Sequence, residues 1–216
     1  MQNQEIQKNR KNRQNLRILV ECAVMIALAT VLSMIKIWEA PLGGSVTLFS
    51  MVPIIIIGLR RGPVWGLGTA FVYSLAQFMF DAGKLSGWGI AGAKAMILCV
   101  LFDYIIAFTV LGLSGLFKFA IYKTNQRSKN IIIAVIATLS VCILRYISHV
   151  IVGAVVWYAI TKAGDWNEYV HTVGGWVYSI VYNMQFMLPE TIITLIAAPA
   201  VVTVLSVLGK QSKLDK

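Results

Sequence analysis

The sequence predicts an all-α integral membrane protein, with six transmembrane helices in one bundle and both termini in the cytoplasm, and three observations predict it. Apolar residues make up 58% of the chain and charged residues only 13%, against about 25% charged in an ordinary soluble domain. The apolar residues fall in long runs, and about 20 residues is the length that carries a helix across a ~30 Å hydrocarbon core. Lysine and arginine gather in alternate short segments between those runs, so the net charge of +10 reads as a topology signal and not as a nucleic-acid surface.

Residues 1–15 are polar and basic, with Lys8, Arg10, Lys11 and Arg13 and no apolar period, and read as an unordered cytoplasmic tail. The membrane domain occupies 16–208. Its first span runs from about Leu16 to Ile37, too long for a signal-peptide core, and the Pro41, Gly43 and Gly44 that follow Trp38 and Glu39 stop the helix. The second span, about Thr47 to Leu59, is short. Arg60, Arg61, Gly62 and Pro63 turn the chain into the third, about Val64 to Phe80. The fourth covers about Ala91 to Phe119, the fifth about Ile131 to Ile160 and the sixth about Val173 to Leu208, before a cytoplasmic tail at 209–216. With this order Arg60 and Arg61, then Lys118, Lys123, Arg127 and Lys129, then Lys210, Lys213 and Lys216 all share the side of the basic N-terminus. The opposite loops hold Glu39, Asp81, Asp165 and Glu168, with only Lys84 and Lys162 against them.

Polar residues inside apolar spans are costly and normally face one another or a cavity. Span four carries Asp103 and Tyr104; at 1.5 Å per residue, Asp103 lies roughly 15 to 18 Å below the outer end. Span five carries Arg145, His149, Gly153 and Trp157 at intervals of four, one stripe of a helix. Span six carries Tyr178, Tyr182, Asn183 and Glu190, and span three Tyr73 and Gln77. Spans four and six run inward and span five outward, so Asp103, His149, Trp157, Tyr178 and Asn183 meet in the outer half of one bundle, with Gly153 leaving room for a ring. A carboxylate, stacking aromatics, an imidazole and a carboxamide suit a flat heteroaromatic cation arriving from outside.

Competing readings attach to the same residues. Asp103 and Arg145 are also candidates for a structural ion pair, Trp157 and Tyr178 for interfacial aromatics alongside Trp88, Trp166 and Trp176, and Gln77 and Tyr182 for hydrogen bonds joining helices. Glu21 and Glu190 fall nearer the cytoplasmic side and read as structural or partner-facing. Cys22, Cys99 and Cys142 lack metal-type spacing and read as core residues. In span one, Ala23 and Ala27 form a small-residue face that lets another helix approach closely. The sequence has no Walker A, HExxH or GxSxG pattern, so neither ATP hydrolysis nor catalysis is expected of it, and no metal or cofactor. A proton-coupled symporter using Asp103, Glu190 or His149, and a non-transport scaffold subunit, stand as alternatives to a ligand-capturing subunit.

The segments ALATVLSMIKI, SVTLFSMVPI, LRRGP, FVYSLAQF, FDYIIAF, ISHVIVGAVVW and VYSIVYN, in this order and spacing, resemble the thiamin-specific substrate-binding subunits (S-components, the ThiT or YuaJ family) of energy-coupling factor transporters, over nearly the whole chain after residue 16. The resemblance implies a six-helix, multi-pass subunit of the bacterial cell membrane that binds thiamin near the outer face. It implies as partners a transmembrane coupling protein and two cytoplasmic ATPases. Asp103 and Tyr104 fall where the family has an acidic residue followed by Tyr, Asp103 being shorter than the Glu of relatives. His149, Gly153 and Trp157 match the family's binding stripe, Tyr178 and Asn183 its span-six pair, and Tyr73 a position where Trp is frequent. Trp38 falls in the gating loop and is assigned by position only. Ala23 and Ala27 resemble the AxxxA motif that docks on the coupling protein.

Overall fold

The computed structural model describes residues 2–41, 43–85, 90, 92–123 and 126–214; Trp88 and Lys216 lie outside them. Helix α1, Gln2–Met34, is 33 residues long, about 50 Å at 1.5 Å per residue, well beyond the thickness of a hydrocarbon core. The basic residues read from sequence as an unordered tail therefore continue the first apolar helix without a break, as an exposed polar extension. The sequence signal was missed because this segment has no apolar face, which is what most helix recognition rests on.

The helix ends at Met34, and the chain departs from an all-α design. Strands β1, Lys36–Glu39, and β2, Ser45–Thr47, form an antiparallel hairpin. Its turn needs the left-handed backbone of Gly43 and Gly44, at φ of 90° and 88°, which glycine adopts without steric cost. Helix α2, Val52–Arg61, has only 10 residues, and Pro53 to Leu59 are all buried. The expected second span thus contributes its first residues to the hairpin and turn, and the rest to a core helix about 15 Å long. Its carboxyl end is tied to α1, where Arg60 and Arg61 both pair with Glu21, Arg60 at 2.9 Å. Gly62, at φ 93°, turns the chain into α3, Pro63–Leu85.

The next rod, α4, changes its winding along its length: α-helical at Ala93–Cys99, π-helical at Val100–Ile106, α-helical at Ala107–Thr109, 3-10 at Val110–Phe117 and α-helical at Lys118–Lys123. The tighter 3-10 winding coincides with its closest packing. A Cβ on Gly112 would lie 2.4 Å from the carbonyl oxygen of Gly66, and one on Gly115 would lie 2.5 Å from the nitrogen of Pro63, so backbone meets backbone as in small-residue membrane packing. Helix α5 runs through Arg127–Val152, a π-helical turn Gly153–Trp157 and Tyr158–Ala163. A short α6, Tyr169–Thr172, leads to α7, Gly175–Ile196, and α8, Ala198–Leu214. The expected sixth span is two helices bent by 44°. Pro199 lacks the N–H that would bond back across the junction, which weakens the helix there, although Pro189 is accommodated inside α7 without a break.

Among the described residues, the segments Gln4–Met34, Ala93–Ile121 and Arg127–Ala163 are long and apolar enough to cross a membrane, and the bent α7–α8 pair makes a fourth. The core lies between α2, α3, α4, α5 and α8, with Met51, Ile54, Leu59, Ala70, Leu111 and Val201 buried in it; the three cysteines are buried too. Gly112→Ala should therefore lower the thermal midpoint of the purified protein by several degrees, since overpacking costs roughly 1–3 kcal/mol. Gly68→Ala, where a Cβ meets nothing within 4 Å, should leave it unchanged.

Candidate ligand-binding site

Two of the helices that carry the polar residues are π-wound beside the site: α4 at Asp103 and Tyr104, and α5 from Gly153 to Trp157, just after the α-helical turn that bears Arg145 and His149. A π turn shifts the backbone bonding by one residue and frees carbonyls for other partners, a feature concentrated at functional sites. Ser148 donates to the carbonyl of Phe102 at 2.6 Å, joining α5 to the π turn of α4, and Ser179 of α7 donates to the carbonyl of Val150 at 2.7 Å, just before the π turn of α5. The two hydroxyls bring α4, α5 and α7 together around a cavity of about 330 Å³, within the range of small-molecule sites.

Asp103 lines it, with 18% of its side chain exposed. His149 Nδ1 is 2.8 Å from one carboxylate oxygen, and the Trp157 indole N–H donates to the other, also at 2.8 Å. Arg145 Nε lies 3.4 Å from His149 Nε2. A guanidinium only donates, so Nε2 is the acceptor and Nδ1 carries the proton given to Asp103. The expected alternative, a direct Asp103–Arg145 pair, is replaced by this relay. Arg145 itself stacks over the Phe108 ring at 4.3 Å and donates to Met51 Sδ at 2.9 Å. Trp157 is fixed by its carboxylate bond, with its ring partly buried against the core.

Of the other candidates, Tyr104, Gly153, Tyr178 and Asn183 also line the cavity. Tyr104 packs edge-on against Phe78, and Tyr178 stacks on Tyr182 with centroids 5.9 Å apart. Asn183 Nδ2 is occupied by the Ser179 carbonyl at 2.9 Å, which leaves its Oδ1 as the group available to a ligand. A Cβ on Gly153 would stand 2.1 Å from Ser179 Oγ; the glycine admits α7, where the sequence reading gave it the task of admitting a ligand ring. Gln77 donates to Ser33 and Tyr182 to the carbonyl of Gly43, so both join elements as expected, and both also face the cavity.

Two candidates stand apart from it. Tyr73 is fully buried behind Phe108, edge-on at 5.5 Å. Trp38 is 42% exposed on β1, while Lys36 and Glu39 of the same strand line the cavity. Strand pairing is irregular between Lys36 and Trp38, and a one-residue slip exchanges the faces of a strand. Ala23 and Ala27 are exposed on α1, and Trp166, in the turn before α6, and Trp176, at the start of α7, are exposed as well.

Glu190 is the principal residue missed. Read as structural or partner-facing, it lines the cavity with 1% exposure and accepts the Thr47 N–H at 2.5 Å and the Thr47 hydroxyl at 2.7 Å. The signal was its place in a four-residue series with Tyr182 and Phe186. With Asp103, Glu190, Glu39 and Asp81 against Lys36 and Arg145, the lining carries excess negative charge in a low-dielectric setting, which favours a cationic ligand. Among the described residues no three His, Cys, Asp or Glu side chains converge to hold a metal.

Residues 19–209 match the family model described as thiamine transporter protein (Thia_YuaJ). The chain is 33% identical over 180 residues to the thiamine transporter ThiT of Bacillus subtilis, covering 81% of this chain and 84% of that protein. It is 26% identical over 191 residues to ThiT of Lacticaseibacillus paracasei, covering 87% of each. The solved structure of ThiT from Listeria monocytogenes superposes with a TM-score of 0.69 at 26% identity, over 88% of this chain and 96% of that one. The helices long enough to cross a membrane belong, then, to a multi-pass bacterial membrane protein, and the chain is a member of the thiamine transporter (Thia_YuaJ) family.

Proposed function

We propose that this chain is the high-affinity thiamin-binding membrane subunit of an ATP-driven energy-coupling factor transporter, and not an enzyme. The observation that carries the reading is the Asp103 carboxylate, held between His149 and Trp157 and partly open to the cavity. Thiamin is a permanent thiazolium cation joined to an aminopyrimidine. Asp103 offsets the cationic charge and the Trp157 face stacks on a ring, while His149, Tyr178 and the Asn183 carbonyl offer hydrogen bonds. Desolvation of the carboxylate offsets part of the attraction. The naming of the relatives as thiamine transporters supports the same ligand.

The reading includes six passes with both termini cytoplasmic: α1, the hairpin with α2, α3, α4, α5 and the bent α7–α8 pair, with 1–15 and 209–216 as basic cytoplasmic ends. The basic turn at Arg60 and Arg61 and the segment around Lys118 to Lys129 support it. The exposed Ala23 and Ala27 are the docking face for a transmembrane coupling protein, which carries two cytoplasmic ATPases. Trp38 belongs to the hairpin that covers the cavity, and Tyr73 supports it from behind Phe108.

Thiamin should quench the tryptophan fluorescence of the purified chain saturably at sub-micromolar concentration. Asp103→Asn and Trp157→Ala should each weaken binding at least tenfold, about 1.4 kcal/mol; unchanged affinity in both would sink the assignment. Liposomes holding only this chain should not accumulate thiamin under a pH gradient, and uptake should require the coupling protein, the ATPases and ATP. Gradient-driven uptake by the chain alone would instead establish the symporter.

A further inference from the structure

One face of α7, at intervals of four residues, holds the hairpin over the cavity. Tyr182 donates its hydroxyl to the carbonyl of Gly43 at 3.1 Å. The Phe186 ring lies so close under Gly44 that a Cβ there would fall 2.5 Å from it, and Val46 is buried against Phe186 and Met187. Glu190 closes the series at the root of β2: Thr47 gives its N–H to one carboxylate oxygen and its hydroxyl to the other, and Ser50 Oγ lies 2.6 Å from the same hydroxyl. The opposite sides of the aromatic pair face the ligand-contact candidates. Phe186 is edge-on to His149 at 5.6 Å, and Tyr182 stacks on Tyr178.

We infer that Glu190 is a positioning residue that latches the hairpin shut through Thr47 and thereby sets the rate at which a bound ligand leaves. The physical reason lies in what opening exposes. When the hairpin lifts, a carboxylate with 1% exposure loses both Thr47 hydrogen bonds at once and keeps only the Ser50 hydroxyl, 3.4 Å away, and hydrogen bonds to charged groups are the costly ones to lose. Closure is therefore favoured before any ligand arrives. A ligand against His149 and Tyr178 adds to it, because it also packs the rings on which Gly43 and Gly44 rest.

The kinetic half of this inference rests on the thiamin reading; the structural half does not, so the test has two arms. In the ligand-free full chain, amide hydrogen exchange in peptides covering 36–47 should be at least tenfold faster in Glu190→Gln and in Thr47→Val than in the parent, with α3 peptides unchanged. In stopped-flow fluorescence, both variants should release thiamin at least tenfold faster with association rates within threefold. Release in the double variant should match that of Glu190→Gln, because the Thr47 hydroxyl acts through this carboxylate. Unchanged exchange over 36–47, faster exchange throughout the chain, or unchanged release from variants of a parent that binds thiamin would overturn the latch. A parent that fails to bind thiamin would overturn the ligand assignment and leave the exchange arm to decide the latch.

Discussion

A carboxylate placed between apolar helices must be satisfied by the chain itself, because lipid offers no hydrogen bonds and the charge is costly to bury alone. Asp103 meets that condition with two donors from α5, His149 and Trp157, one on each oxygen. Much of the surrounding structure follows. Asp103 and Trp157 stand in the π-wound stretches of α4 and α5, while His149, in the α-helical part of α5 just before, is held in the donating tautomer by Arg145 on its far side. Both oxygens accept from neutral groups, so the negative charge stays uncompensated by direct ion pairing and is available to a cation in the cavity.

Helix α7 links this centre to its cover. Ser179 and Asn183 fasten it to α5, through the carbonyls of Val150 and His149 and the room left at Gly153. The neighbouring face, Tyr182, Phe186 and Glu190, takes the hairpin. One rigid helix thereby touches both the ligand-contact residues and the segment over them, so a change on either side is felt on the other through packed rings and not through a flexible loop.

The sequence was informative where the physics is periodic. Long apolar runs gave α1, α3, α4 and α5, and the four-residue stripe Arg145, His149, Gly153, Trp157 gave one wall of the cavity, because a polar side chain inside an apolar span has few tolerable places to point. It was uninformative where local backbone chemistry decides. Two strands of four and three residues leave no pattern to read, and the slip between Lys36 and Trp38 that turns Trp38 outward depends on pairing geometry. Pro199, near the start of α8, leaves no mark on the sequence pattern, because the apolar run continues through it. Glu190 reads as structural, and its bonds to Thr47 agree with that; that it also faces the cavity depends on a hairpin the sequence does not announce.

The account stands on the charge of Asp103 meeting the charge of its ligand. The most direct measurement is calorimetric affinity for thiamin and for an analogue whose thiazolium is replaced by a neutral thiophene, each in the parent chain and in an Asp103→Asn chain. The account predicts that the parent prefers the cation by at least tenfold, and that this preference, not merely the affinity, disappears in the variant. An equal preference in both chains would contradict it and reduce Asp103 to a structural acceptor for His149 and Trp157.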